Sequence, residues 1–211
     1  KQVRCRISLY LYRKHGMSKK TIALLYGGRS GEHEVSCCSA ASVFRHLDRS
    51  KYTVLPVGID KEGRWFPAPG AEPVPDPEFG SVLPLIQEGE WLLSPSYQHG
   101  SLTIFRRDAA ASHTVDCVFP ALHGTNCEDG RLQGLLELCG VPYVGAGVVG
   151  SSVGMDKDFT KRLLLQAGLP VVPWISATRH EWDNNASFIL QDILLEFGFP
   201  CFVKPANSGS S

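Results

Sequence analysis

Hydrophobic and polar positions along this chain switch between the period of a strand and the period of a helix. Residues 21–26 form a continuous apolar run that ends at Gly27-Gly28, the pattern of a parallel strand buried on both faces. Ala40, Val43, Phe44 and Leu47 then fall at i, i+3, i+4 and i+7, which predicts a helix with one apolar face. Residues 54–59 return to the strand pattern. Residues 115–120 predict a further buried strand, followed by a helix carrying Leu132, Leu135, Leu136 and Cys139 at the same spacing and closed by Gly140. A short strand over 141–145 completes the series. Strand, helix, strand, twice over, predicts an α/β fold with a doubly wound parallel sheet.

Other stretches are less regular. Between Asp60 and His113 the prolines at 67, 69, 73, 75, 77, 84 and 95 break any long element, and residues 90–93 and 101–105 predict a hairpin. After 145–150 the residues become small. A helix is expected over 156–166, burying Phe159 and Leu163 and stopping at Gly168, then a strand over 171–175. A helix near 187–197 carries Ile189, Ile193 and Phe197 and is closed by Gly198, and a strand starts at 201–203 and ends at Lys204. A domain boundary is placed near residue 150.

Composition narrows the class. With 211 residues, 43% hydrophobic and 20% charged, the chain is of globular type. No apolar run approaches the roughly 18 to 20 residues needed to cross a bilayer, so no membrane partner is expected. Charge is balanced overall, but Lys1, Arg4, Arg6, Arg13 and Lys14 lie in an acid-free stretch over 1–16, leaving 16 basic against 21 acidic side chains in the rest. That mildly acidic body argues against a nucleic-acid partner. The basic leader fits a transit peptide or, more simply, upstream or appended sequence, because Met17-Ser18-Lys19-Lys20 precedes the first strand like a natural start. Seven cysteines, without a C-x-x-C pair, read as core thiols of a reducing compartment, the cytoplasm, and not as a zinc site.

Candidate chemistry gathers where predicted strands end. The first loop reads Gly27-Gly28-Arg29-Ser30-Gly31-Glu32-His33-Glu34-Val35-Ser36. Ligands of open parallel sheets bind beyond the carboxyl ends of the strands, and helix amino-termini there favour anions. A carboxylate in the same loop can hold an ammonium, so both ends of an amino acid are served. The glycine spacing is not the dinucleotide fingerprint. By local pattern alone, an ordinary glycine-rich turn with Glu32 or Glu34 on the helix dipole explains it equally well. The second loop reads His123-Gly124-Thr125-Asn126-Cys127-Glu128-Asp129-Gly130. Further on come Met155-Asp156-Lys157 and Lys204-Pro205-Ala206-Asn207-Ser208-Gly209-Ser210-Ser211. Lys157 in the first turn of a helix is disfavoured by the dipole and calls for an anion. The closing glycine-rich loop can cradle phosphate with its N–H groups.

Taken in this order, the four segments resemble the D-alanine–D-alanine ligase family of ATP-grasp enzymes, over about residues 17–211. The resemblance implies a Rossmann-like, pre-ATP-grasp N-terminal domain over 17–150 that binds substrate, followed by an incomplete α+β ATP-grasp domain over 151–211. It also implies that Glu32, His123, Ser210 and Ser211 form the catalytic set, with Glu32 binding the ammonium of the first D-alanine and the two serines anchoring that substrate through Glu32. His123 would lie near the same substrate. Glu128 would buttress Glu32, Glu34 would support the helix start, and Lys157, Lys204 and Gly209 would meet the nucleotide phosphates. Cys127 stands where the family has glycine, which leaves the backbone path of that loop open.

ATP and D-alanine are the implied partners, with Mg2+ held by acidic residues beyond this chain and a homodimer for the intact protein. The fragment itself is expected to be inactive. A binding module without chemistry, or another ATP-grasp carboxylate–amine ligase, are the alternatives.

Overall fold

The computed structural model describes residues 19–96, 100–108 and 110–209. The basic leader, Ser210 and Ser211 lie outside the described residues. In chain order the elements are β1 (Lys20–Gly27), α1 (His33–His46), β2 (Tyr52–Ile59), β3 (Trp65–Pro67), β4 (Val74–Asp76), β5 (Gly80–Val82), β6 (Trp91–Ser96), β7 (Ser101–Arg106), β8 (Ser112–Val115) and β9 (Cys117–Pro120). Four helices follow, α2 (Arg131–Leu138), α3 (Val148–Met155), α4 (Lys157–Gln166) and α5 (Arg179–Glu196).

The central sheet has the order β3-β2-β1-β9, with β1 parallel to both β2 and β9 and β3 antiparallel at the edge. Its middle strand is covered on both faces, as its apolar run demands. Leu24 and Tyr26 face Cys37, Ala40, Ala41 and Phe44 of α1. Ala23 and Leu25 belong to the opposite cluster with Leu102 and Ile104 of β7 and Leu132 and Leu136 of α2. Residues of a strand alternate between faces, so one strand feeds two cores. The expected hairpin forms between β6 and β7, and β8 extends it to a three-stranded antiparallel sheet.

Several expectations are corrected. The apolar run over 115–120 is two strands, not one: Val115 ends β8, and from Cys117 the chain pairs with β1. Asp116 is the pivot, its side chain accepting from Thr21 N–H (2.8 Å) while its own N–H donates to the Thr21 carbonyl (3.0 Å). Residues 141–145 contribute a single parallel bridge, Val118 to Tyr143, because Pro142 has no N–H and the chain turns at once.

Helix α4 forms but buries nothing, Phe159 being 61% and Leu163 52% exposed. Residues 171–175 and 201–203 are not strands, since no neighbouring strand among the described residues accepts their backbone groups. Helix α3, in the run of small residues, lacked a periodic apolar signal and went unpredicted. Helix α5 begins at Arg179, where Thr178 and Glu181 form a reciprocal capping box, and is kinked at Asn185, whose backbone is non-helical; the expected helix near 187–197 is the part after the kink. No helix among the described residues is long and apolar enough to cross a membrane.

Candidate active site

The first loop leaves β1 at Gly27 and enters α1 at His33, with Glu32 as the N-cap residue. Ser36, fully buried in the first turn of α1, accepts from Gly27 N–H (2.8 Å) and donates to the Ala121 carbonyl (2.5 Å). One hydroxyl thereby fixes the end of β1 against the segment that leaves β9. His33 Nδ1 lies 2.9 Å from the Gly28 carbonyl and holds the turn from inside. These local ties hold the glycine-rich loop at Gly27, Gly28 and the first turn of α1.

The second loop is built on the same principle. Glu128 Oε2 accepts from Gly124 N–H (2.7 Å), and the N–H groups of Cys127 and Glu128 return to the Gly124 carbonyl. Asn126 takes the left-handed conformation, φ 68°, which a short polar amide tolerates. The replacement at Cys127 is thus accommodated, because the unusual backbone position is Asn126. The Cys127 thiol is buried in the core cluster, its carbonyl accepts from Gln133 Nε2 (2.9 Å), and desolvation, reinforced by Asp129 and Glu128, pushes its pKa up to about 11.

The two loops meet the closing glycine loop at one carboxylate. Glu32 Oε2 is so close to Gly124 and Gly209 that a Cβ on either would stand 3.0 Å from it, and a Cβ on Gly209 would also lie 3.1 Å from Gly124 Cα. Glycine is needed at both places for this close approach. Lys157 Nζ donates to the Gly209 carbonyl (2.7 Å), and Lys157 N–H to the Ala206 carbonyl (2.9 Å). Beside this junction an open cleft of about 530 Å³ runs past Leu122, Cys127, Glu128 and Gly154 to Lys157 and Gly209. Gln133 also lines it, and its buried Oε1 has no hydrogen-bond partner among the described residues.

Glu32, Glu128, Lys157 and Gly209 are therefore brought together. Glu128 and Glu32 meet the same glycine: Glu128 Oε2 accepts from Gly124 N–H, and Glu32 Oε2 lies against Gly124. His123 Nε2 lies 2.9 Å from Ser39 Oγ on α1. Glu34 is exposed and paired with Lys61 (2.7 Å), whose hydrogen bond holds its carboxyl below the usual range. Lys204 sits in an exposed stretch with no strand before it, a correction to its expected place behind a buried strand. Ser210 and Ser211 lie outside the described residues. Pattern reading missed the work of Ser36, His33, Asn126 and Gln133. Ser36 stands inside the quoted motif, and a hydroxyl in a first helical turn next to a strand end is the signal that could have found it.

A parallel sheet with the Glu32 carboxylate at its strand ends, next to a lysine tied to a glycine-rich loop, defines an α/β protein with charged groups of both signs gathered beyond the carboxyl ends of its strands. Two family profiles match the chain, the D-ala D-ala ligase N-terminus over residues 21–146 and the D-ala D-ala ligase C-terminus over residues 163–211. The chain belongs to the D-alanine–D-alanine ligase family.

A curated relative, the D-alanine–D-alanine ligase A of Bradyrhizobium diazoefficiens, is 46% identical over 200 residues, covering 92% of this chain and 52% of the relative. The solved D-alanine-D-alanine ligase of Coxiella burnetii matches with a TM-score of 0.71 at 35% identity, over 91% of this chain and 54% of that one. The VanG D-Ala:D-Ser ligase of Enterococcus faecalis matches with a TM-score of 0.69 at 30% identity, over 92% and 54%. The chain thus spans about half the length of the relatives it matches.

Proposed function

We propose that the intact protein joins two D-alanine molecules at the expense of ATP, through an acyl phosphate, to supply D-alanyl-D-alanine for peptidoglycan precursors in the cytoplasm. Residues 17–150 act as the substrate-binding domain and 151–211 as the start of the ATP-grasp domain. The observation that carries this is the junction of the Glu32 carboxylate with Gly124 and Gly209, where an ammonium-binding group and a phosphate-type loop touch.

A carboxylate is a poor electrophile because resonance and negative charge oppose attack. Transfer of the γ-phosphoryl group removes both obstacles, and the amine of the second D-alanine then displaces phosphate and forms the peptide bond. What this chain supplies is position and charge. Glu32 holds the ammonium of the first D-alanine, His123 lies beside it, and Glu128 keeps Gly124 in place. Lys157 and Lys204 face the phosphates with the Gly209 loop over them, and Ser210 with Ser211 anchors the first substrate.

Mg2+ chemistry would fall to acidic residues outside this chain. The lysines and glycine loop fit a polyphosphate, which they would bind and orient. A homodimer of the intact protein belongs to the same proposal.

The test is Glu32→Ala in the full-length protein. Loss of a charge-assisted contact predicts D-alanine binding weakened by roughly 10- to 100-fold, with ATP binding changed by less than about threefold. Equal loss of both, or of neither, rejects the role given to Glu32. The 211-residue chain alone is expected to show no D-alanine-dependent phosphate release from ATP, and such release would overturn the assignment of essential groups to the remaining half.

A further inference from the structure

Asn126 has no role in the motif, since its position in the second loop is variable in the pattern this chain resembles. Its geometry is nonetheless specific. Among the described residues it is the one non-glycine with a positive φ, and both ends of its amide are used between different loops. Nδ2 donates to the Arg29 carbonyl in the first loop (3.1 Å), while Oδ1 accepts from Arg131 Nη1 (2.9 Å). Arg131 also reaches Asp129 Oδ2 (3.0 Å), and the same carboxylate oxygen accepts from Asn126 N–H (2.8 Å). The amide is therefore oriented by its own loop and offered to the other.

The bond to Arg29 acts on the carboxylate a few residues away. The residue after Arg29 is Ser30, whose Oγ accepts from Glu32 N–H (3.2 Å) and whose Cβ would stand 3.4 Å from a Cβ on Gly124. Ser36 pins the first loop at its helix end, and His33 does so at Gly28. Arg29 to Gly31 is the stretch that these two leave untied, and Asn126 closes it. We propose that Asn126 is a positioning residue for the first amino-acid site, cross-linking the two substrate loops so that Glu32 is presented at a fixed distance from Gly124. This rests on the function proposed above for its kinetic consequence, and on geometry alone for the cross-link.

Asn126→Gly is the discriminating variant, because glycine keeps the left-handed backbone and removes only the amide. In the full-length protein it is expected to raise the KM for D-alanine by roughly 5- to 20-fold, while kcat and the KM for ATP stay within about twofold. Asn126→Asp keeps the acceptor for Arg131 but turns an oxygen toward the Arg29 carbonyl, and should raise the KM for D-alanine further. Arg131→Ala, which frees the amide to rotate, should show a smaller rise.

Amide hydrogen exchange of residues 28–32 is measured on the same variants, and faster exchange there in Asn126→Gly is the expected result. Unchanged exchange overturns the cross-link. Faster exchange with an unchanged KM for D-alanine overturns the positioning role, as does a parallel rise of the D-alanine and ATP constants with a lower Tm. If the unsubstituted full-length protein shows no D-alanine-dependent ADP release, the ligase assignment fails by itself and the exchange result still decides the cross-link.

Discussion

Helices α2 and α4 carry similar apolar spacings and meet opposite fates. Leu132, Leu136 and Cys139 enter the core cluster that holds Leu25, Val57 and Val118, whereas Phe159 and Leu163 remain 61% and 52% exposed. Neither α4 nor α5 buries a residue, and beyond them Phe202 and Val203 are 96% and 89% exposed. Periodicity states which side of a helix is apolar; only topology states whether anything covers that side. In the first region, sheet, hairpin and helices enclose the side chains. In the second, the described residues supply no covering layer.

The comparison fails if the two regions respond alike to truncation. Leu136→Ala in this chain is expected to cost about 2–5 kcal/mol, the range for a fully buried leucine. Phe159→Ala should stay within about 0.5 kcal/mol, as for exposed positions. Urea unfolding with unchanged slope measures both. Repeating Phe159→Ala in the full-length protein sharpens the contrast: a cost of about 3–5 kcal/mol there is expected of a phenylalanine covered by the remaining half.

Glycines divide in the same way. At Gly168 (φ 76°) a Cβ would meet open space, so Gly168→Ala carries only the left-handed penalty of roughly 1–2 kcal/mol. At Gly27 (φ 83°) the same Cβ would run into the Ile59 carbonyl and the His33 ring, so Gly27→Ala should cost clearly more. Equal shifts in urea midpoint would mean that the first loop is as pliable as the second region.

This contrast also explains what was legible in the sequence. Residues 21–26 and 54–59 announce themselves because strands buried on both faces need apolar residues at every position, and 90–105 because turn residues separate two β-rich runs. Asp116 alone marks the division of 115–120, and a single polar residue in an apolar run is a weak sign of a pivot. The runs at 171–175 and 201–203 have strand composition without a strand neighbour. At the site, Glu32, Lys157 and Gly209 stand in legible motifs; the pairing of β1 with β9 brings the loops of Glu32 and Gly124 together, while Gly209 reaches them from a distant segment held by Lys157. Asn126 and Ser36 act through hydrogen bonds between distant segments, and local spacing carries no trace of those.

Asp158 is the best-anchored charge of the second region. Its carboxylate accepts from Arg162 Nε (2.8 Å), Ser176 Oγ (2.7 Å) and Trp174 Nε1 (2.7 Å), and these bonds, Arg162 first, hold its pKa well below the usual carboxylate range. A depressed folded pKa gives stability that is present above the ordinary value near 4 and is lost as pH falls through the folded value. Asp158→Asn should therefore lower the urea midpoint more at pH 7 than at pH 3. A gap independent of pH would mean that the ionised form of this carboxylate contributes nothing to folding.

Thiol reactivity gives the smallest and most local contrast. Cys127 is 6% exposed, with a pKa pushed up to about 11, so roughly one molecule in a thousand carries the thiolate at pH 8, and the buried sulfur is further screened from reagents. Cys37, at the α1 face of the sheet, is 8% exposed and is likewise raised to about 11, desolvation leading. Cys201 lies in the open second region and is partly exposed. Iodoacetamide at pH 8, followed peptide by peptide, should therefore modify Cys201 at least about tenfold faster than Cys37 or Cys127. If Cys127 reacts first, the loop that carries Glu128 opens more readily than the exposed segment moves, and the clamped shape of the first region cannot be what holds Glu32 in place.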